Sequence, residues 1–264
     1  MKFTVVSSPR AEHQLSHQAA MIEGLRAHGI DVVANVGGAV NTEFVACWGW
    51  RIGQRLRAEG RQVLVMERGY LGDRFAWTSL AWNGLNGRGQ FPQISDPSRF
   101  AEHFTLKPWK EGGDYVLLMG QVPGDMSLRG RDLSGWYAEK TLECLKNYRL
   151  PVKFRPHPLA ARKGLNKVPF GATLADGTLE ENLQNAAAVV TYNSNSGVDA
   201  VLAGVPTVIA DEGSMALSVA SIQVGQYYRP PREQWAAELA WKQWQLSEIS
   251  SGFALEKLLA MEWA

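Results

Sequence analysis

The stretch from Ala187 to Asp211 constrains the fold of this chain more than any other. Ala188 to Thr191 is a short apolar, β-branched run bounded by polar residues, which predicts a buried strand. Asn193, Ser194, Asn195, Ser196 and Gly197 follow as a turn of small polar residues, and Val198 to Ala203 has helical character. Gly204 and Pro206 end that helix, and Thr207 to Ala210 predicts the next strand. The result is a β-turn-α-β unit whose turn is expected to leave backbone N–H groups pointing outward. With the helix dipole behind them, such groups favour a phosphate. Asp199, in the first helical turn, is placed to accept hydrogen bonds from a ribose. The same residues also satisfy a simpler account, in which Asn193 and Ser194 cap the helix and Asp199 complements its dipole.

Strands alternate with helices before this unit as well. Lys2 to Ser7, Ile30 to Ala34, Phe44 to Trp48 and Gln62 to Met66 read as strands, separated by helices near Glu12 to His28 and Ile52 to Glu59. After a linker from Pro97 to Gly113 the pattern restarts with strands at Tyr115 to Gly120 and Val152 to Phe154. A helix from Trp136 to Asn147 lies between them, an edge element sits near Thr173, and a helix follows at Leu179 to Asn185. This alternation predicts parallel, doubly wound sheets, with ligands beyond the carboxyl ends of the strands. The expected division is 1–110 and 111–264, with two helices separated by Gly252 closing the second domain.

By the same rule Ser7 to Arg10, Cys47 to Arg51 and Glu67 to Arg74 occupy ligand positions in the first domain. The last opens a long stretch, 67–93, expected to be an irregular functional loop. Between Arg51 and Arg88 seven arginines stand against three carboxylates, a local charge of +4 interleaved with aromatic residues. That composition grips phosphates and stacks on bases or sugars, or else solvates a helix face around an interdomain core. Trp48, Trp50, Arg51, Arg68, Tyr70, Arg74, Trp77, Trp82 and Arg88 form the candidate acceptor surface.

A net charge of +1 over 264 residues gives no global attraction to nucleic acid or membrane. Cys47 and Cys144 have no metal-binding spacing and read as reduced, buried thiols, and no apolar run is long enough to span a bilayer. The expectation is a soluble cytoplasmic protein without membrane insertion. The sequence lacks a GxSxG elbow, a P-loop, HExxH, and GxGxxG after the first strand. His13 and His17 are spaced for one helix face, read as a surface face rather than a metal site.

Arg155-Pro156-His157-Pro158 presents a cation and an imidazole from a stiff segment directly after a strand, one strand before the Asn193 turn. Gln121 and Gly124 lie in the turn after the preceding strand. Together with Asn193-Ser194, Gly197, Asp199-Ala200 and Gly204-Val205-Pro206, this segment resembles the nucleotide-sugar domain of GT-B-type glycosyltransferases, closest to the capsule and lipopolysaccharide Kdo transferases. The resemblance covers Asp114 to Asp211. It implies a GT-B-like α/β fold, two Rossmann-like domains facing a cleft with C-terminal helices packing back, and a UDP-linked sugar donor as co-substrate with no cofactor or metal.

The resemblance also implies that Arg155 and His157 meet the donor phosphates, Ser194, Asn195, Ser196 and Gly197 the phosphate or sugar, and Asp199 the ribose. Asp199 stands where many such enzymes have glutamate. The base that deprotonates an acceptor hydroxyl is expected in the first domain, with Glu67 and Asp73 the candidates, each equally able to form an ion pair with a neighbouring arginine. The favoured acceptor is 5-hydroxymethylcytosine in double-stranded DNA, as in the phage enzymes of this fold class. The alternatives are a saccharide or lipid-linked glycan, or a sugar-nucleotide epimerase or binding protein.

Overall fold

The computed structural model describes residues 1–6, 12–35, 39–165 and 167–261, with the side chains of Glu12 and His13 outside that description. The Ser7 to Arg10 segment and the break at Gly37 and Gly38 lie outside the described residues. In chain order the elements are β1 (Lys2–Val6), α1 (Glu12–Ala27), β2 (Asp31–Asn35), β3 (Phe44–Trp48), α2 (Trp50–Ala58), β4 (Gln62–Arg68), β5 (Thr78–Trp82) and α3 (Ser98–His103). Then come β6 (Tyr115–Met119), α4 (Ser134–Tyr148), β7 (Val152–Arg155), α5 (Pro158–Ala161), β8 (Ala172–Leu174), α6 (Leu179–Asn185), β9 (Ala186–Thr191), α7 (Ser196–Leu202) and β10 (Thr207–Ile209). The chain closes with α8 (Glu233–Ala240), β11 (Gln243–Trp244), α9 (Leu246–Ser250) and α10 (Phe253–Leu259).

Two compact units result, Met1–Glu102 with Ala237–Ala264, and His103–Ala236. The first differs from the expected division, because the terminal helices join it rather than the second unit. The reason is apolar burial. Trp244, Ile249, Leu255 and Leu258 are fully buried in one cluster with Phe3, Val5, Leu64 and Met66 of the first sheet.

That sheet has the order β11-β5-β4-β3-β1-β2. β1 to β4 are parallel, but β5 pairs antiparallel with β4, and β11 antiparallel with β5. The expectation of an irregular loop over 67–93 is therefore corrected, since Thr78–Trp82 is a strand with all five residues buried. Gly69 makes the reversal possible. Its N–H donates to the Trp77 carbonyl at 2.8 Å, and a Cβ there would lie 2.5 Å from the Trp77 Cβ. Both faces of the sheet are covered. Leu64 and Met66 face the cluster that holds Trp244, while Val63 and Val65 face Leu56 of α2.

The second unit is a five-stranded, all-parallel sheet of order β10-β9-β6-β7-β8. Val116, Leu118 and Phe154 pack on Trp136, Tyr137 and Cys144 of α4, while Leu117, Val189 and Ala200 share the opposite face. Successive strands from β6 run outward to β7 and β8 on one side, and β9 and β10 lie on the other. The topological switch point falls between β6 and β9.

Candidate donor-binding site

At the carboxyl end of that switch point, Gln121 after β6 and Asn193 after β9 are joined twice. The Gln121 Nε2 donates to Asn193 Oδ1 at 2.8 Å, and the Asn193 backbone N–H donates to Gln121 Oε1 at 3.0 Å. Asn193 Nδ2 also donates to the Ser127 carbonyl at 2.9 Å and to Asp211 Oδ1 at 2.8 Å, while the Gln121 N–H donates to the Tyr137 hydroxyl at 2.8 Å. Both side chains are buried. Their polar groups bond to one another and to the loops after β6 and β10, so these two residues hold the site's floor together. Burial of Tyr137 pushes its phenol up to about 12 and keeps it neutral as the Gln121 acceptor. Gly124, at φ 77°, forms the exposed turn between Val122 and Asp125.

The turn before α7 differs from expectation in one respect. Its amides are closed on the turn itself rather than left outward for an anion. Ser194 N–H donates to Thr191 Oγ1 at 3.3 Å, Ser196 N–H to Ser194 Oγ at 3.2 Å, Gly197 N–H to the Ser194 carbonyl at 2.9 Å, and Val198 N–H to the Asn195 carbonyl at 2.9 Å. Side-chain hydroxyls are what the turn offers instead. Ser194 Oγ donates to Ser196 Oγ at 3.2 Å, leaving the Ser196 hydroxyl proton for an outside acceptor. Asn195 is the residue preceding α7, with helical backbone angles and no side-chain cap. Of the two residues expected to cap the helix, Ser194 accepts the N–H of Ser196, the first residue of α7, whereas the Asn193 side chain is used elsewhere. Gly197 lets α7 approach the sheet, since a Cβ there would lie 3.0 Å from Ile209 Cδ1 and 3.2 Å from Thr191 Cγ2. Asp199 is half-buried in the first turn of α7, as expected.

After β7, His157 is the N-cap of α5, its Nδ1 accepting from the Leu159 N–H at 3.2 Å. An accepting Nδ1 places the neutral ring's proton on Nε2, the tautomer that donates to a phosphate oxygen. Arg155 has a different local use. Its Nη1 donates to the Gly177 carbonyl and to Asn182 Oδ1, each at 2.8 Å, tying β7 to the loop before α6.

In the first unit Glu67 is half-buried at the carboxyl end of β4, its Oε1 3.6 Å from where a Gly49 Cβ would stand. Asp73 is exposed, and its Oδ1 accepts from the Phe75 N–H at 2.9 Å, so it shapes its own turn. The Arg68 guanidinium lies over the rings of Phe75 at 4.3 Å and Trp48 at 5.4 Å. Trp48 in turn rests on His17, a buried residue whose Nδ1 bonds Thr78 Oγ1 at 3.0 Å; the surface-face reading of His17 is thereby corrected.

The candidate acceptor surface is divided by burial. Tyr70, Trp77 and Trp82 are core residues, and the Trp82 indole donates to the Leu258 carbonyl at 3.1 Å. Trp50, the first residue of α2, is half-buried, as are Arg74 and Arg88, and Arg51 is exposed.

No protein-family model matches the chain, and no curated protein matches it. Among solved structures, the KpsC beta Kdo 2,7 transferase of Thermosulfurimonas dismutans superposes with a TM-score of 0.55 at 14% identity, covering 98% of this chain and 100% of that one. The KpsC beta Kdo 2,4 transferase of the same organism gives a TM-score of 0.55 at 17% identity, with 90% of each chain covered. The fold is GT-B-like.

Within this GT-B-like chain, the site residues expected from the sequence do not include three contributors to the floor of the candidate site: Ser127, Tyr137 and Asp211. Asp211 carried a signal, as the first polar residue after the apolar run of β10 at the end of a parallel strand. Ser127 and Tyr137 carried none, because they reach the site from a short turn and from the core face of α4.

Proposed function

We propose that this chain is a glycosyltransferase that moves a sugar from a nucleotide-sugar donor to a saccharide hydroxyl. The observation that carries the reading is that Gln121, His157 and the Ser194 to Ser196 turn all follow the carboxyl ends of three adjacent parallel strands, β6 and β9 at the switch point and β7 beside β6. That is the position at which open α/β sheets hold nucleotides. The resemblance to Kdo transferases in the same segment, and the fold shared with two of them, support the same reading.

His157 and the Ser194 and Ser196 hydroxyls then meet the diphosphate or phosphate of the donor, Asp199 its ribose, and Gly197 sets how close α7 comes. Arg155 acts on the phosphates through its remaining N–H groups or holds the 177 turn. Glu67 is the better of the two candidate bases, since Asp73 is occupied in its own turn and fully at the surface. A UDP-linked hexose is the first donor to test, followed by other nucleotide-activated sugars including Kdo.

In the sequence, the arginine-aromatic loop from Arg68 to Arg88 points to a DNA acceptor. With Tyr70, Trp77 and Trp82 in the core, the aromatic surface of that segment narrows to Phe75, and Trp48 and Trp50 before it are half-buried. A flipped base needs stacking faces, so we favour the saccharide and keep 5-hydroxymethylcytosine in DNA as the second acceptor.

The test is mass spectrometry of both acceptor types after incubation with a panel of nucleotide sugars. Transfer to a saccharide is expected. Glu67→Gln should lower turnover by about 10²-fold or more while donor binding is kept, and Asp73→Asn should change turnover little. Binding of a sugar nucleotide with no transfer to any acceptor would replace this reading by that of a binding protein or epimerase.

A further inference from the structure

Five of the fourteen large apolar side chains exposed on the described residues fall within sixteen positions of the second unit. They are Leu159, Leu165, Val168, Leu174 and Phe170, the last 90% exposed. They stand on α5, on the turns that follow it, and on β8, the edge strand of the five-stranded sheet. Backbone bonds hold this surface in shape: Leu165 N–H donates to the Ala160 carbonyl at 2.9 Å, and Ala172 N–H to the Pro169 carbonyl at 3.1 Å. Single exposed apolar residues are ordinary, but a group of this kind marks an interaction surface.

The charges between them select the partner. Arg162, Lys163 and Lys167 are exposed among these side chains, and no aspartate or glutamate occurs from Pro156 to Ala175. Among the described residues, none of the three cations forms an ion pair. A second copy of the chain placed symmetrically on this face would bring those cations together without counter-charges. Nucleic acid would neutralise them but has no use for exposed leucine and valine. An anionic lipid surface satisfies both features, taking cations at its headgroups and apolar side chains just beneath.

We infer that the segment 159–174 is a membrane-surface docking site, by which the protein rests peripherally on bilayers containing anionic phospholipid. No helix among the described residues is long and apolar enough to cross a membrane, and surface docking needs none. The inference is independent of the donor site, since vesicle binding requires neither donor nor acceptor.

Co-sedimentation of the full chain with vesicles of phosphatidylcholine, with and without phosphatidylglycerol, tests it. Binding is expected only with phosphatidylglycerol, falling as salt rises. At roughly fivefold per cation, Arg162→Gln, Lys163→Gln and Lys167→Gln together should weaken it about 10²-fold. Leu165→Ser with Phe170→Ser should weaken it about tenfold or more, whereas Phe75→Ser, at an exposed aromatic of the first unit, should leave it unchanged. All of these positions are at the surface, so circular dichroism should report an intact fold. Equal binding to neutral vesicles, no binding to either, or wild-type binding by both variants would overturn the inference. So would concentration-dependent self-association that Phe170→Ser disperses, which would assign the face to a second copy.

Discussion

Asn193 shows how one buried residue can hold the parts of a site together. Through its backbone N–H, Oδ1 and Nδ2 it joins the ends of β6 and β9 to the loops carrying Ser127 and Asp211, while itself buried. Asn193→Ala keeps the backbone bond to Gln121 Oε1 but removes the side-chain bonds, and it leaves Gln121 Nε2 without its acceptor in a buried setting. An unpaired buried polar group costs about 1–3 kcal/mol, so the urea midpoint should fall accordingly and donor affinity with it. Asn193→Asp keeps one acceptor but turns a donor toward Asp211 into a second carboxylate, and should be worse at neutral pH than at low pH. The two thiols make a separate prediction. Burial pushes Cys47 and Cys144 up to about 12 from an ordinary value near 9. Both should resist alkylation at pH 8 in the native protein and react on unfolding. The unfolded chain loses its thiol protons near pH 9 while the folded one holds them, so stability is full below that pH and declines as pH rises toward 12. Urea melts at pH 8 and pH 10.5 should show the drop, and Cys47→Ala should make it shallower.

At the scale of elements, the end of α7 is fixed by Gly204. Its φ is +79°, and a Cβ there would fall 1.9 Å from the Pro108 carbonyl oxygen, whereas Gly60, at φ +85° after α2, has open space around the same position. Gly60→Ala should cost only the left-handed backbone penalty, about 1–2 kcal/mol. Gly204→Ala must in addition displace the 107–110 segment, whose Lys107 and Lys110 amides bond the Leu202 and Gly204 carbonyls. Its denaturation midpoint should fall clearly further, and equal losses at both glycines would contradict this account. The β9-α7-β10 unit was legible in the sequence because periodicity, glycine and proline all mark it locally. β5 and β11 were not. Thr78–Trp82 is buried on both faces and lacks alternation, and Gln243–Trp244 is two residues whose pairing with Ser79 and Thr78 spans more than 160 positions. The candidate site was legible as positions at strand ends, including Gln121, His157 and Ser194. Its chemistry was less so, because whether an amide or an arginine faces a ligand depends on which side chain takes its N–H, Thr191 Oγ1 close by for Ser194 and Asn182 Oδ1, 27 positions away, for Arg155.

At the scale of the whole molecule, the chain leaves the first unit after Glu102 and returns at Ala237, so something must hold the returning segment there. Arg99 does so. Its guanidinium makes a two-pronged pair with Glu248 at 2.6 and 2.7 Å and donates to the Ala240 carbonyl at 2.9 Å and the Gln243 carbonyl at 3.0 Å. The rings of Trp77, Trp241 and Trp244 lie 5.3, 5.0 and 4.8 Å from its Cζ. Planar, five-donor geometry is needed for that set, so lysine cannot replace it. Arg99→Lys should lose most of the fork, and Arg99→Ala should cost about 3–5 kcal/mol by leaving Glu248 without its partner. Because Trp244, Ile249 and Leu255 belong to the core of the first sheet, loosening the segment should expose β1, β3 and β4. β6, β9 and β10 have their own core. Hydrogen exchange of Arg99→Ala followed by mass spectrometry should show faster exchange in peptides spanning 2–6, 44–48 and 62–68 than in the wild type. Peptides spanning 115–119 and 186–191 should be unchanged. Uniform acceleration across both sets would mean that the two units unfold as one, and that Arg99 guards the stability of the whole chain rather than of the first unit alone.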